Sequence, residues 1–376
     1  MKKKIIVIGC GFAGVFAAKK LCSFGKAVEV TVVDKKGTFD FLPMLPDVIS
    51  RDIDPGYLAY PISELSRGLG FDFINEEVRS VDLENNTVSC SQRSLGYDYL
   101  IICSGSQTNF YGNNEIQANA HKLDDVKDAG VIYKRLGRDD FDTLLVTGGG
   151  YTGVEIATAA KVYLRKRLIK KRIILVERAP SILGQLPEWM KRYAVKNLKD
   201  LGIDILVNTA IEKADGDTVS LSSKESFGNA MLIWAAGVRT ADFVQKINAE
   251  KNPQGRIKVD EFLRLRDNCF VAGDCANVLH KKAFLRMAVQ FSIYQALSAA
   301  ENIIRNIKGK GLLKYKPIDL GFIVPMANNN SCGNILGMKV TGGPATLLHF
   351  CMCIYRSLGL KNKLGVIKDL LQGGAK

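Results

Sequence analysis

Several features are scarce or missing in this 376-residue chain, and each absence closes off a class of function. No apolar run approaches the roughly 18 residues that a membrane-spanning helix needs, so the chain is not expected to cross a bilayer. Nine cysteines include no CxxC pair and are odd in number, which predicts no zinc site, no disulfide framework and a reducing compartment. The formal charge is +14, yet aromatic-basic interleaving and known nucleic-acid motifs are missing. The densest basic run, Lys161 to Arg172, reads as a solvated helix end, so no nucleic-acid partner is expected. Nothing is low-complexity, and no repeat stands out beyond one duplicated unit. Met1-Lys2-Lys3-Lys4 before an apolar stretch has the outline of a signal peptide, but the stretch breaks at Gly9 and reads as a strand, which predicts a cytoplasmic chain.

What is present in abundance is glycine at two particular places. Gly9-Cys10-Gly11-Phe12-Ala13-Gly14 follows Lys4-Ile5-Ile6-Val7-Ile8, a buried parallel strand by pattern, and opens a helix over Val15 to Phe24. In such a turn Gly9 permits the tight bend, Gly11 lets the backbone approach a pyrophosphate, and Gly14 lets helix and strand pack. The helix start, with Phe12 and Ala13, offers free N–H groups to the phosphates. Twenty residues past Gly14, Asp34 with Lys35 beside it ends the strand Val28 to Val33, where a carboxylate can accept bonds from an adenosine ribose.

The second copy is Gly148-Gly149-Gly150-Tyr151-Thr152-Gly153, after the strand Thr143 to Thr147 and before a helix from Tyr151 to Arg165. The next strand, Arg172 to Val176, ends in Glu177, in the part played by Asp34. A carboxylate there repels a 2′-phosphate and favours NADH over NADPH, against the influence of Arg178. Gly148, Gly150, Tyr151, Thr152, Gly153 and Glu177 are therefore candidates for a second dinucleotide. Two dinucleotides on one chain imply electron transfer between them.

Three later segments extend the pattern. Tyr97 to Ser106 is an apolar strand running into a small-residue turn at Ser104-Gly105, and Leu232 to Gly237 is a similar one. Asn268 to Ala276 is a strand entering the turn Gly273-Asp274. With these in order, the chain resembles the pyridine-nucleotide-dependent flavoprotein oxidoreductases over about 330 residues. The resemblance implies FAD on the first turn, with Asp274 near its ribityl and phosphate region, and NADH on the second. The implied fold is α/β, with two Rossmann-like dinucleotide-binding domains of the glutathione-reductase type and a C-terminal amphipathic helical segment.

The branch follows from further motifs. The disulfide reductases of this superfamily carry a cysteine pair after the first ribose carboxylate, and Lys35 to Arg51 holds none. Phe39-Asp40-Phe41-Leu42-Pro43-Met44-Leu45-Pro46 instead resembles the FxPLLP segment of the type II NADH:quinone oxidoreductases, which puts Pro43 and Leu45 beside the flavin ring. Val289 to Gln295 is similar to that family's AQxAxQQ helix, keeping Gln290 and Gln295. Tyr294 replaces the inner glutamine, and Arg286-Met287 stands where proline is usual. Taken bare, this is a helix with two exposed glutamines. Glu155, on the first turn of the second helix, matches a family glutamate placed for proton handling. By itself it is equally a carboxylate favoured by the helix N-terminus. Glu155, Gln290 and Gln295 are thus the catalytic candidates, with no metal.

The tail completes the resemblance. Ala345 to Cys353 is apolar, Arg356, Lys361, Lys363 and Lys368 follow, and leucines are interspersed to Leu371. Such a segment can lie in a membrane interface or dock a partner. The resemblance implies a homodimer docked on an anionic surface at the cytoplasmic face of the cell membrane, passing electrons from NADH through FAD to a quinone. Expected domains are 1–112 with 242–330 for FAD, 113–241 for NADH and 331–376 for membrane association. Two alternatives stand beside this: a sulfide:quinone oxidoreductase using Cys103 and Cys332, and a slow NADH-binding sensor or scaffold.

Overall fold

The computed structural model describes residues 2–373. From the N-terminus, β1 (Lys3–Ile8) feeds α1 (Phe12–Cys22) and β2 (Val28–Val33), and after α2 (Leu45–Arg51) come β3 (Asp72–Ile74) and β4 (Tyr99–Ile102). Then follow β5 (Ala120–His121), α3 (Val126–Leu136), β6 (Thr143–Thr147), α4 (Tyr151–Lys166), β7 (Arg172–Val176), β8 (Asp204–Leu206) and β9 (Ala230–Trp234). The chain continues through β10 (Arg264–Arg266), β11 (Cys269–Val271) and α5 (Val289–Ile307). It closes with β12 (Gly321–Val324), β13 (Ser331–Ile335), β14 (Met338–Thr341), α6 (Gly342–Arg356) and α7 (Leu360–Gly373).

Two compact units result. The first comprises residues 1–39, 60–107 and 238–320. Its six-stranded sheet runs β10-β11-β4-β1-β2-β3, parallel except at β10. Ile5 to Ile8 are buried on both faces, as the continuous β-branched run of a central parallel strand requires. Ala13, Ala17 and Ala18 of α1 are buried, as are Ala296, Ala299 and Ala300 of α5, and these small side chains let the two helices approach closely.

The second unit comprises residues 40–59, 108–237 and 321–376. Its five-stranded parallel sheet runs β5-β9-β6-β7-β8. The sequence assigned residues 40–59 to the first dinucleotide lobe, but Ile49 of α2 is fully buried against Ile132, Leu136, Ile156 and Tyr163 of α3 and α4. Cys332, from the tail expected as a separate segment from 331, joins that same core, as do Val324 and Met326 from the stretch expected in the FAD domain. An antiparallel sheet, β12-β13-β14, carries α6.

Candidate functional site

The two glycine turns are built alike, one in each unit. Gly9 (φ +95°) donates its N–H to Val33 at 2.8 Å, and Gly148 (φ +102°) donates to Val176 at 2.8 Å. A side chain on either would collide with the neighbouring return strand, at Cys103-Ser104 and at Ala235-Ala236 respectively. A Cβ on Gly14 would drive into the Gly9 carbonyl, and one on Gly153 into the Gly148 carbonyl, so each helix sits directly on its own turn. At Gly11 and Gly150 a Cβ would meet nothing within 4 Å. These two are the N-caps of α1 and α4, and no side chain caps either helix. Each turn thus leaves open space facing uncapped N–H groups, the form that a pyrophosphate fills.

The two strand-end carboxylates also match. Asp34 accepts the Cys10 N–H at 2.6 Å and the Lys36 N–H at 2.7 Å. Glu177 accepts the Gly149 N–H at 2.5 Å and the Ala179 N–H at 2.6 Å. Each carboxylate therefore splints its own glycine turn, a role additional to the ribose contact expected from the sequence. Ala13 is buried and lies where a Cβ on Gly273 would reach its methyl at 3.1 Å, so it packs the two turns of the first unit together. Phe12 meets Phe39 edge-on with ring centroids 5.1 Å apart. Gly237 lies under Tyr111, whose hydroxyl donates to the Ala236 carbonyl at 3.0 Å.

Around Gly273-Asp274 the structure places groups that the sequence did not single out. Ser106 donates to Asp274 at 3.0 Å, and burial raises the Asp274 carboxyl above its ordinary range. Buried Arg256 donates to the carbonyls of Asp274, Ala276 and Leu285 at 3.1, 2.6 and 3.1 Å. Three carbonyls satisfied by one guanidinium fix the turn, and no motif in the sequence marks this arginine.

The glutamines of α5 are not exposed. Gln295 is 2% exposed and accepts the Gly273 N–H at 2.8 Å, so it holds the Gly-Asp turn. Gln290 is buried, donates to Asp319 at 3.1 Å and accepts the Leu320 N–H at 3.2 Å. Arg286, one of the departures from the family pattern, grips the same Asp319 with two nitrogens at 2.7 and 2.8 Å. Arg286 and Gln290 therefore form one network that pins residues 319–320, and Tyr294 is partly exposed beside it.

The second unit contains a cleft lined by Pro43, Pro46, Asp47, Glu155, His349 and Phe350, with Arg51 in its wall. Leu45 is buried and does not line this cleft, whereas Pro43 lines it and Leu42 is 48% exposed. Burial and the Asp47 charge push the Glu155 carboxyl up to about 8. Burial raises Asp47 to about 6 against the opposing pull of Arg51, whose Nε lies 3.2 Å away. His349 is pushed down to about 4 by burial and by Arg51, and is neutral at physiological pH. Asp47 and Arg51 share a face of α2 at i,i+4. From sequence this segment reads as a loop, which shows neither that pair nor the arrival of His349 from a distant part of the chain.

With this geometry established, comparison places the chain among known proteins. Residues 3–301 match the pyridine nucleotide-disulphide oxidoreductases, and the chain belongs to that family. The demethylphylloquinone reductase NdbB of Synechocystis is 25% identical, covering 94% of this chain and 92% of its own. The type II NADH:quinone oxidoreductase of Staphylococcus aureus is 24% identical, covering 92% and 93%. Among solved structures, NDH2 from Plasmodium falciparum in complex with NADH superposes with a TM-score of 0.87 at 18% identity, over 100% of this chain and 98% of that one.

Proposed function

We infer that this protein is an FAD-dependent oxidoreductase that passes a hydride from NADH to flavin and two electrons on to a quinone. The observation that carries the reading is the duplicated turn, with an open glycine at an uncapped helix start in each unit. Residues of the first unit suit FAD: Gly11 and Gly105 leave space that a Cβ would take up, and Asp34 and Asp274 stand at the two later turns. Bound there, FAD supplies the two-electron relay between a hydride donor and a quinone. The second turn, with Gly148, Gly150 and Glu177, holds NADH by its backbone and orients it. Glu177 disfavours a 2′-phosphate.

The quinone is read into the cleft of the second unit, where Pro43 and Phe350 give flat apolar walls and Glu155 carries a proton at neutral pH. Gln290 and Gln295 are positioning residues, since both amides are engaged within the protein.

Among the described residues no helix is long and apolar enough to cross a membrane. The reading is a peripheral enzyme on the cytoplasmic face. Leu347, Tyr355, Leu360 and Leu371 are 65 to 76% exposed on α6 and α7, Leu336 and Met338 are exposed on the β13–β14 hairpin, and Lys361 and Lys368 are exposed among them. An apolar surface with interspersed lysines fits anionic lipid. A homodimer is the assembly proposed, and light scattering tests it.

The sulfide alternative gains nothing from the cysteines. Cys103 and Cys332 are buried, and burial pushes both thiols up, Cys332 to about 11, away from the thiolate that sulfur transfer needs. The test is turnover by the FAD-loaded protein with NADH or NADPH and a short-chain quinone. Quinol formed in equal amount to NADH consumed, with NADPH much poorer, supports the assignment. NADH oxidation without quinol formation refutes it.

A further inference from the structure

Glu155 does not stand alone in its cleft. Asp47 lines the same cleft from α2, tied on one side to Arg51 at 3.2 Å and facing His349 Nε2 at 4.0 Å on the other. Arg51 is itself held in place. It donates to Asn329 at 2.6 Å and to the Ala327 carbonyl at 3.2 Å, and its guanidinium lies 4.6 Å from the centre of the Phe350 ring. The charge-bearing neighbours are therefore Asp47 and Arg51 from α2, and His349, Cys353 and Arg356 from α6. The β12–β13 wall contributes Pro325, Met326, Ala327 and Ser331, none of them titratable.

Two carboxyls in one poorly solvated cleft cannot both ionise without large cost, whereas one proton between them satisfies both. The Arg51 guanidinium is in contact with Asp47, so the negative charge rests there and the proton rests on Glu155. We propose that Asp47 and Glu155 act as one coupled acid that holds a single proton and delivers it from Glu155 to the reduced quinone, with Arg51 fixing Asp47 as the ionised member.

This rests on the quinone reading, and it accounts for a proton that reading leaves over. Reduction of a quinone to a quinol adds two electrons and two protons. The hydride of NADH carries both electrons and one proton, so one further proton per turnover comes from water. Glu155 gives its proton to a quinone oxygen, an O–H bond forming as the carboxyl O–H breaks, and the resulting carboxylate is reprotonated from water. Asp47 favours that reprotonation, because its negative charge raises the proton affinity of Glu155. Asp47 acts through Glu155 and is a positioning residue.

The test is an infrared titration of the oxidised, FAD-loaded protein without quinone, following the protonated-carboxyl stretch that Glu155→Gln removes. In the wild type that band loses half its intensity near pH 8. In Asp47→Asn the midpoint falls by at least about half a pH unit, since the like charge is gone. The double variant Asp47→Leu/Arg51→Met removes the pair without leaving a buried charge, and shows the same fall even where the single variant folds poorly. In Arg51→Gln a second band appears as Asp47 takes up the proton. A midpoint unchanged in both the single and the double variant overturns the proposal. If the band shifts but quinone is not reduced, the coupled acid stands and the assigned acceptor fails.

Discussion

A glycine turn that binds a dinucleotide and a glycine turn that merely bends differ in which glycine matters for folding. In the first turn the structure separates the two cases within one motif. A Cβ at Gly14 would stand 2.8 Å from the Gly9 carbonyl carbon and closer still to its oxygen, in backbone held by the Gly9-to-Val33 hydrogen bond. Neither atom can give way, so Gly14→Ala costs at least about 3 kcal/mol of stability through strain and backbone displacement. At Gly11 the same methyl group meets nothing, and the backbone is extended with φ −78° and ψ −162°, which alanine adopts freely. Gly11→Ala therefore changes the stability of the flavin-free protein by less than about 1 kcal/mol. Its methyl group fills the space a pyrophosphate would take, so flavin affinity is expected to fall at least about 100-fold, equivalent to ~2.7 kcal/mol. Thermal unfolding of the flavin-stripped variants, followed by titration with FAD, reads both quantities. Wild-type FAD affinity in Gly11→Ala would refute the reading of this turn as a phosphate cradle.

The second turn gives the matching case: Gly150→Ala retains FAD and raises the Kd for NADH at least about tenfold, measured by equilibrium titration, because Gly150 occupies the same open N-cap position. Glu155 titrates near 8 when folded against an ordinary 4.5, so the stability it contributes is present below pH 4.5 and is lost as pH rises toward 8. Glu155→Gln is therefore expected to be more stable than wild type at pH 8 and above, by about 1 kcal/mol or more in chemical denaturation, while quinone reduction slows. Gln295→Leu leaves the Gly273 N–H without its partner and costs about 1–3 kcal/mol, with flavin lost more readily than in wild type. Replacing Leu347, Leu348 and Tyr355 by serine abolishes flotation with anionic vesicles and leaves turnover of a water-soluble quinone unchanged.

Periodicity and glycine spacing made the two dinucleotide lobes legible because they are local signals: strand, turn and helix adjoin in the chain. The strands Thr143–Thr147 and Arg172–Val176 fall where the apolar runs put them. What escaped is set by tertiary packing. Residues 40–59 follow the first ribose carboxylate in sequence, yet Ile49 finds its apolar partners on α3 and α4. Gln290 and Gln295 look like exposed amides on a helical wheel, and only the approach of Gly273 and Asp319 buries them. Arg256 satisfies three carbonyls that come from residues 18 to 29 positions away, a relation no local pattern encodes. The Asp47–Arg51 pair needs the helix Leu45–Arg51, which the proline-rich segment does not announce, and its meaning depends on Glu155 and His349 lining the same cleft.

The central claim, that electrons pass from NADH through flavin to a quinone, is tested most directly by anaerobic stopped-flow on the FAD-loaded protein. NADH is mixed first, then either a short-chain quinone or sulfide, while flavin absorbance is followed. The account predicts rapid bleaching by NADH, rapid recovery on adding quinone, and no bleaching by sulfide alone. Bleaching by sulfide but not by NADH, or bleaching by NADH with no recovery on quinone, would contradict it.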